Sequence, residues 1–267
     1  MAAAAWGSGD FTNGFVARRV GSFYTILISY HVGLLVLVIV ALARHEPLSA
    51  PIDLLWGALA GISGMAGLAF LLRGFSAGRM GIVAPVSAVL ATTLPVLFAA
   101  FTQGLPRVLQ LAGFGLGLVS IWLLARPEKL TGRPRGLGMA LLAGLGFGGL
   151  FIMLGQIDKQ AVFWPLAAGR LACCVLVLAF AFLTRRPVSL RGAPLALLGF
   201  AGAVDVTGNL FFLLAVQSGR LDVAAVLGSF YPAVTAILAW LVTREHIARL
   251  QVVGVALAVI AIMLITI

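Results

Sequence analysis

Charged residues are scarce in this sequence. Its 267 residues include 18 Lys or Arg and 8 Asp or Glu, only 10% in all, whereas 62% are hydrophobic and the mean hydropathy is +1.13. Soluble domains hold roughly 45–50% apolar and about 25% charged residues. No aqueous fold hides this much apolar surface, so the composition excludes a soluble protein and predicts the lipid bilayer as a partner.

Cysteine and catalytic motifs are also scarce. Cys173 and Cys174, the two cysteines, are neighbours within an apolar run, which suits neither a disulfide nor a metal site with separated ligands. No HExxH or GxxxxGK[ST] pattern is present, so a metalloprotease and an ATP-driven pump have no support. We therefore expect no metal, no cofactor and no enzymatic activity.

Long apolar runs are what the sequence does contain. Runs bounded by charges, glycine and proline predict an all-α membrane protein with ten transmembrane helices. Each span takes roughly 20 residues, so ten spans leave no room for a soluble domain. The predicted spans lie near residues 2–17, 23–43, 54–72, 81–101, 108–125, 137–157, 161–183, 193–216, 221–243 and 247–267.

The basic residues indicate orientation. A net charge of +10 would suggest nucleic acid for a soluble protein, but these residues lie in short groups between apolar runs, so we expect no nucleic-acid partner. Loops after odd-numbered spans carry 13 Lys or Arg and loops after even-numbered spans carry 4, with Arg170 inside a span. Because short basic loops stay cytoplasmic, both termini are predicted outside the cytoplasm of a cell (inner) membrane.

The chain also matches itself. A shift of 141 residues lays residues 2–126 on residues 143–267 without a gap. Five spans in each half is an odd number, so the two halves enter the membrane in opposite senses, as in many secondary transporters. An old duplication without transport is the alternative. The identities in register include Gly67/Gly208, Phe70/Phe211, Gly78/Gly219, Arg79/Arg220, Thr102/Thr243, Gln110/Gln251 and Gly113/Gly254.

The motifs of the two halves resemble a known family. The chain is similar over nearly its full length to the EamA branch of the drug/metabolite transporter superfamily. Taken together the motifs are fairly specific, although each alone is weak. They are Trp6-Gly7-Ser8, Gly78-Arg79-Met80, the run from Val83 to Val89, Pro95, Gly219-Arg220-Leu221, the run from Val226 to Thr235, Glu245, Gln251 and Gly254.

The resemblance implies a division of the chain and a function. Residues 1–126 form the first EamA-like five-helix repeat, 127–142 a basic connecting loop with the start of helix six, and 143–267 the second repeat. The resemblance implies a secondary transporter, expected to export a small metabolite, amino acid or drug-like solute by alternating access around a midplane cavity. Coupling to a proton or another ion and a monomeric or homodimeric state are part of this expectation.

Two departures from the family pattern stand out. Gly104 occupies the place that Glu245 fills in the second half, so the acidic residue usual after the fourth span is absent. The superfamily is often drawn with both termini in the cytoplasm, whereas the charge distribution here predicts the opposite.

Ionisable residues inside the spans are the candidates for binding and coupling. A charge at membrane depth costs at least ~2.5–3.5 kcal/mol, so Asp10, Arg170 and Asp205 each need a partner or a watery cavity. The functional interpretation is that Asp10 or Asp205 binds a cationic substrate group or carries a coupling proton. The structural interpretation is an ion pair with Arg170, and the two are about equally weighted.

Helical spacing and proline extend the candidate set. Asp10 shares a helix face with Trp6 and Asn13, and Asp205 lies four residues before Asn209. Prolines within the fourth and ninth spans remove a backbone donor and bend or break the helix, as often happens beside binding sites. The predicted substrate-binding residues are Trp6, Asp10, Asn13, Pro85, Ser87, Asp205, Asn209, Tyr231 and Pro232, with Asp10, Arg170 and Asp205 as coupling or ion-pair candidates.

One enzyme hypothesis competes with transport. Gly7-Ser8-Gly9-Asp10 matches the GxGD pattern of intramembrane aspartyl proteases, and Asp205 would supply the second carboxylate of a dyad. The pattern lies in the first span instead of following the other aspartate, and the hypothesis does not account for the repeat. We therefore favour transport.

Overall fold

The computed structural model describes residues 1–77, 80–125, 137–185, 194–238, 241–242 and 249–266. Within these ranges the chain forms eleven helices and no strand. The helices are α1 (Ala2–Val20), α2 (Ser22–Ala43), α3 (Pro51–Ala77), α4 (Met80–Thr102), α5 (Val108–Ala125), α6 (Leu137–Leu154), α7 (Phe163–Leu183), α8 (Leu195–Ser218), α9 (Leu221–Gly228), α10 (Tyr231–Leu238) and α11 (Arg249–Thr266).

The helices follow the predicted spans closely. Five segments in the described ranges are long and apolar enough to cross a membrane, namely Phe23–Ala43, Pro51–Leu71, Leu137–Leu154, Phe163–Leu183 and Leu195–Ser218. Four shorter apolar helical segments lie in α4, α5, α9 with α10, and α11. The all-α fold is therefore confirmed, while ten membrane crossings stay a prediction.

The two prolines behave differently from one another. The predicted ninth span is broken, because α9 ends at Gly228 and α10 begins at Tyr231. Pro232 has no N–H for the carbonyl of Gly228 four residues earlier, so the α-helical ladder is interrupted there. At Pro85 the helix is not broken, since α4 runs from Met80 to Thr102, and a bend there stays a prediction. Pro85 lies near the start of α4, where it costs one hydrogen bond and the turns beyond it are complete.

Helix packing follows one scheme in both halves of the chain. α3 packs against α6 and α7, and α8 packs against α1 and α2. α4 packs against α6, as α10 packs against α1, while α5 and α11 pack against each other. Each of these pairings has a counterpart five predicted spans along the chain. The central helices thus surround a common interior, and α5 with α11 lies to one side of it.

Glycines allow the closest of these helix approaches. A Cβ atom on Gly61 would lie 2.4 Å from the carbonyl oxygen of Gly169, and one on Gly202 would lie 2.4 Å from that of Ser29. Real Cβ atoms do not come so close to backbone oxygen. Gly61 therefore sets the distance between α3 and α7, and Gly202 sets that between α8 and α2, which is the small-residue packing typical of membrane helices.

Alanine substitution at two glycines of α8 tests this packing. We expect Gly202→Ala to lower the stability of the detergent-purified protein by about 1–3 kcal/mol, because its Cβ must displace the backbone of α2. Gly199→Ala is the matched control, since a Cβ there meets nothing within 4 Å. The midpoint of thermal unfolding measures both, and equal midpoints for the two variants would contradict the packing argument.

Candidate functional site

A cavity of about 380 Å³ lies between the central helices. Residues of α1, α2, α3, α4, α6, α7 and α8 line it, together with Ser229 and Tyr231 at the break between α9 and α10. This volume falls in the range of small-molecule sites, roughly 300–1,000 Å³. The break therefore delivers polar groups to a space large enough for a metabolite.

Most of the predicted site residues border this cavity. The ones that do so are Trp6, Asp10, Asn13, Arg170, Asp205, Asn209 and Tyr231. Ser87 is buried on α4 and does not line the cavity. The side chains of Pro85 and Pro232 lie outside the described part of the chain. A role in substrate binding stays a prediction for all nine residues proposed as binding.

An ion pair crosses the cavity wall from α7 to α8. Arg170 Nη2 donates a hydrogen bond to Asp205 Oδ2, and the two side chains are 10% and 25% exposed. The Arg170 guanidinium also lies over the ring of Tyr30 on α2, with 4.8 Å between its carbon and the ring centroid. Arg170 is thus held by a carboxylate and by the negative face of an aromatic ring. The predicted ion pair with Arg170 is present, and its acidic partner is Asp205.

Asp10 is in a different situation from Asp205. It lines the cavity and is accessible there. Among the described residues, no cationic side chain lies within 4 Å of its carboxylate. Asp10 is therefore the acidic group of the cavity whose charge the described residues do not balance.

The neighbouring polar groups of α1 and α2 are held in place by hydrogen bonds. Ser29 Oγ donates to Asn13 Oδ1 at 3.1 Å and lies 3.5 Å from the carbonyl oxygen of Leu198 on α8. Thr235 Oγ1 donates to the carbonyl oxygen of Gly7 at 3.1 Å, which ties α10 to α1. Asp10 thus lies on a helix that is anchored on both sides.

The walls of the cavity differ in polarity. Every polar side chain that lines it comes from α1, α2, α7, α8 or the α9–α10 break. The lining residues of α3, α4 and α6 are all apolar or glycine: Gly57, Ala60, Gly61, Gly64, Met65, Leu68, Leu71, Ala88, Ala91, Phe147, Leu150, Phe151 and Leu154. The cavity therefore has one polar side and one apolar side.

An aromatic cluster borders the cavity, in which Trp6 and Phe151 line it and Phe212 packs against both. The ring centroids of Trp6 and Phe151 are 5.6 Å apart, and those of Phe151 and Phe212 are 4.6 Å apart. All three residues are buried, and Leu213, Val216 and Leu221 extend the same apolar cluster. Van der Waals packing of this kind is what holds membrane helices together, since the lipid is as apolar as these side chains.

Polar contacts join the four connections beyond this cluster, which we call the Glu46 face (residues 44–50, 103–107, 155–162 and 219–220). Glu46 accepts hydrogen bonds from the backbone N–H groups of Val162 and Phe163 and so caps the start of α7. The N–H of Asp158 donates to buried Asp53 at 2.9 Å. The side chain of Gln217 donates to the carbonyls of Asp158 and Ala161.

Arg220 completes the Glu46 face. It donates to the carbonyl oxygens of Gln103 and Gly104 and to the fully buried carboxylate of Asp222. The hydrogen bond to Asp222 raises the pKa of Arg220, which stays charged. The backbone N–H of Leu221 donates to Gln103 Oε1. Arg220 therefore ties the connection after α8 to the connection after α4.

The arrangement of Asp10, Asp205 and Arg170 does not support the aspartyl protease hypothesis. A protease dyad needs two carboxylates that share one proton. Asp205 is instead hydrogen-bonded to the Arg170 guanidinium. The geometry supports a binding cavity, not a catalytic dyad.

Several residues of the cavity were not among the predicted site residues, and the predicted repeat contains the signal that would have identified some of them. The apolar residues Phe147, Phe151, Leu154 and Leu68 lie 141 positions from Trp6, Asp10, Asn13 and Asn209. Applying the shift to the predicted residues would have identified them. Tyr30 and Ser29 lie in an apolar helix without a motif, so no pattern indicated them. Cys173, expected only to pack, also lines it.

Comparison with known proteins adds a family and a fold. The sequence model of the EamA-like transporter family matches residues 134–267, half of the chain. No curated protein matches the sequence. Of the solved structures, 28 chains match. One, described as "Crystal structure of protein", is 20% identical over 99% of this chain and 94% of that chain, with a TM-score of 0.80, and this likeness shows the fold alone.

Breaking the Arg170–Asp205 pair tests its role in stability. Removing one partner of a buried pair leaves the other charge uncompensated and costs up to about 3–5 kcal/mol. We expect Arg170→Met and Asp205→Asn each to lower the thermal midpoint clearly, and the double variant to lower it by less than the sum of the two.

The control for this cycle is Asp158→Asn, which alters an exposed carboxylate outside the cavity and should leave the midpoint unchanged. Strictly additive effects of the two single substitutions would mean that the pair contributes no coupling to stability.

Proposed function

The chain belongs to the EamA-like transporter family of the drug/metabolite transporter superfamily, and from this we propose that it is a secondary transporter that carries a small solute across the membrane through the central cavity. The observation that carries the proposal is the cavity itself, which brings acidic, amide and aromatic side chains from both halves of the chain into one apolar bundle. Such groups are expensive at membrane depth and typically mark a solute or ion pathway.

We propose alternating access between two inverted five-helix repeats as the mechanism. Two pairs of helix contacts support this symmetry. The contact of α3 with α6 corresponds to that of α8 with α1, and the contact of α3 with α7 corresponds to that of α8 with α2. Under this proposal residues 1–126 and 143–267 are the two units, α9 and α10 together are the ninth of ten spans, and both termini lie outside the cytoplasm. Two antiparallel units of this kind can rock about a shared site and expose it to each side in turn.

The end of the cavity nearest the Glu46 face would open and close during this cycle. We propose that the aromatic cluster of Trp6, Phe151 and Phe212 and the polar contacts of the Glu46 face together close one end of the cavity, because both would have to come apart for a solute to pass. Opening this end requires breaking the contacts of Arg220 and separating the aromatic rings. We propose that the present arrangement is the state closed at the Glu46 face, which the charge distribution assigns to the non-cytoplasmic side.

We propose that Asp10 is the residue that engages the transported species. Asp205 is occupied by Arg170, whereas the described residues provide no counter-ion for Asp10. A cationic solute group or a coupling proton would neutralise it. Since no nucleotide-binding motif is present, the energy comes from a gradient of solute or ion, and export is the direction that we expect.

Reconstitution tests the proposed function. Proteoliposomes are offered a panel of radiolabelled amino acids, aromatic amines and quaternary ammonium compounds, with and without a pH gradient. We expect saturable accumulation of at least one compound above protein-free liposomes, and a loss of about tenfold or more with Asp10→Asn, because a charge-assisted contact is removed.

The matched control is Asp158→Asn, which removes the same charge outside the cavity. Its amide oxygen can still accept from the N–H of Gln160, and the contacts of Asp158 across the Glu46 face are made by its backbone, so this variant should transport at the wild-type rate. Failure of the wild-type protein to move any compound of the panel would contradict the proposal, as would wild-type transport by Asp10→Asn.

A further inference from the structure

The polar and apolar walls of the cavity are related by the internal repeat. Asp10, Asn13, Asp205, Asn209 and Ser229 line one side, and the residues 141 positions away from them are Phe151, Leu154, Gly64, Leu68 and Ala88. All five of these counterparts also line the cavity. At these positions the second copy of each site has an apolar residue or glycine. The polar wall and the apolar wall, each built from both halves of the chain, therefore present unlike surfaces to whatever lies between them.

The formal charge of the cavity is negative. Its described lining contains two carboxylates, Asp10 and Asp205, and one guanidinium, Arg170. The ion pair between Arg170 and Asp205 cancels two of these charges. With all three groups ionised, one negative charge therefore remains, at Asp10.

The remaining polar groups do not offer a second charged anchor. Arg170 is already engaged by Asp205 and by the ring of Tyr30. Asn13 and Asn209 are neutral amides. A solute with a carboxylate would have to compete with Asp205 for the guanidinium, whereas a solute amine meets Asp10 without competition.

The apolar wall determines the chemistry of the part of the ligand that does not contact Asp10. Met65, Leu68, Phe147, Leu150 and Phe151 form a surface on α3 and α6 that has no polar side chain among the lining residues. A hydrated or polyhydroxylated body would lose its hydrogen bonds to water there without replacement. An alkyl or aryl body would gain from burial at the same place.

From these observations we infer the substrate class, an inference that rests on the proposed transport function. We propose that the cavity takes a small organic monocation, with an amine against Asp10 and an alkyl or aryl body against α3 and α6. The cavity volume of about 380 Å³ limits the class to compounds of metabolite size. Anionic, zwitterionic and sugar-like solutes are outside it.

A series of matched probes tests this class by isothermal titration calorimetry of the wild-type protein. Phenethylamine carries both features, 2-phenylethanol lacks the charge, phenylacetate reverses it, ethylamine lacks the ring, and L-phenylalanine adds a carboxylate. We expect phenethylamine to bind about tenfold or more tightly than each of the other four, since each omits or opposes one of the two contacts.

Two variants test which residues contact the amine and the apolar body of the ligand. Asp10→Asn should bring phenethylamine and 2-phenylethanol to similar affinities, because the charge contact is gone. Leu68→Asn, which copies the residue of the other half onto the apolar wall, should reduce the advantage of phenethylamine over ethylamine by about threefold or more. Asp158→Asn is the control and should leave the whole order unchanged.

The wild-type series decides the inference even if a variant fails to fold. Binding of phenylacetate or L-phenylalanine at least as tight as that of phenethylamine would overturn it, and so would binding of none of the five probes at millimolar concentration. If the protein preferred L-phenylalanine and carried it into proteoliposomes, the proposed substrate class would be wrong and the proposed transport function would stand.

Discussion

An ionised side chain inside an apolar helix bundle needs a counter-ion or water beside it, and this requirement organises the centre of the molecule. Arg170 meets it with Asp205 and the ring of Tyr30, which draws α7, α8 and α2 together. Asp10 meets it by facing the cavity. The glycines at positions 61 and 202 allow α3, α7, α8 and α2 to approach closely enough for these contacts. The ion pair, the cavity and the close helix packing therefore together accommodate the ionised side chains within the apolar bundle.

The structure shows which features can be read from a sequence of this kind. The helices and their bounds follow from the length of the apolar runs, because a buried backbone without water must form its hydrogen bonds within the helix. The motifs predicted the family, which the match over residues 134–267 confirms. The break at Pro232 was predictable since proline cannot donate to Gly228, whereas α4 continues past Pro85, which lies near its start.

Other features depend on contacts that no local pattern records. Asp10 and Asp205 look alike in sequence, and only their places relative to Arg170 separate a paired carboxylate from an accessible one. Tyr30 lies in an apolar helix without a motif, and its position is set by packing of α2 against α7 and α8. The polarity difference between the cavity walls becomes visible only when the shift of 141 residues and the cavity lining are considered together.

The central claim is that the cavity opens to the two sides of the membrane in turn, and Cys173 allows a direct test. This cysteine lines the cavity, and with Cys174→Ser it is the only one in the chain. A membrane-impermeant cationic thiosulfonate is added to right-side-out and to inside-out vesicles, and the labelling rate of Cys173 is measured with and without a transported solute. The account predicts labelling from both sides, with the solute changing the two rates in opposite directions. Labelling from one side only, whatever the solute gradient, would contradict alternating access.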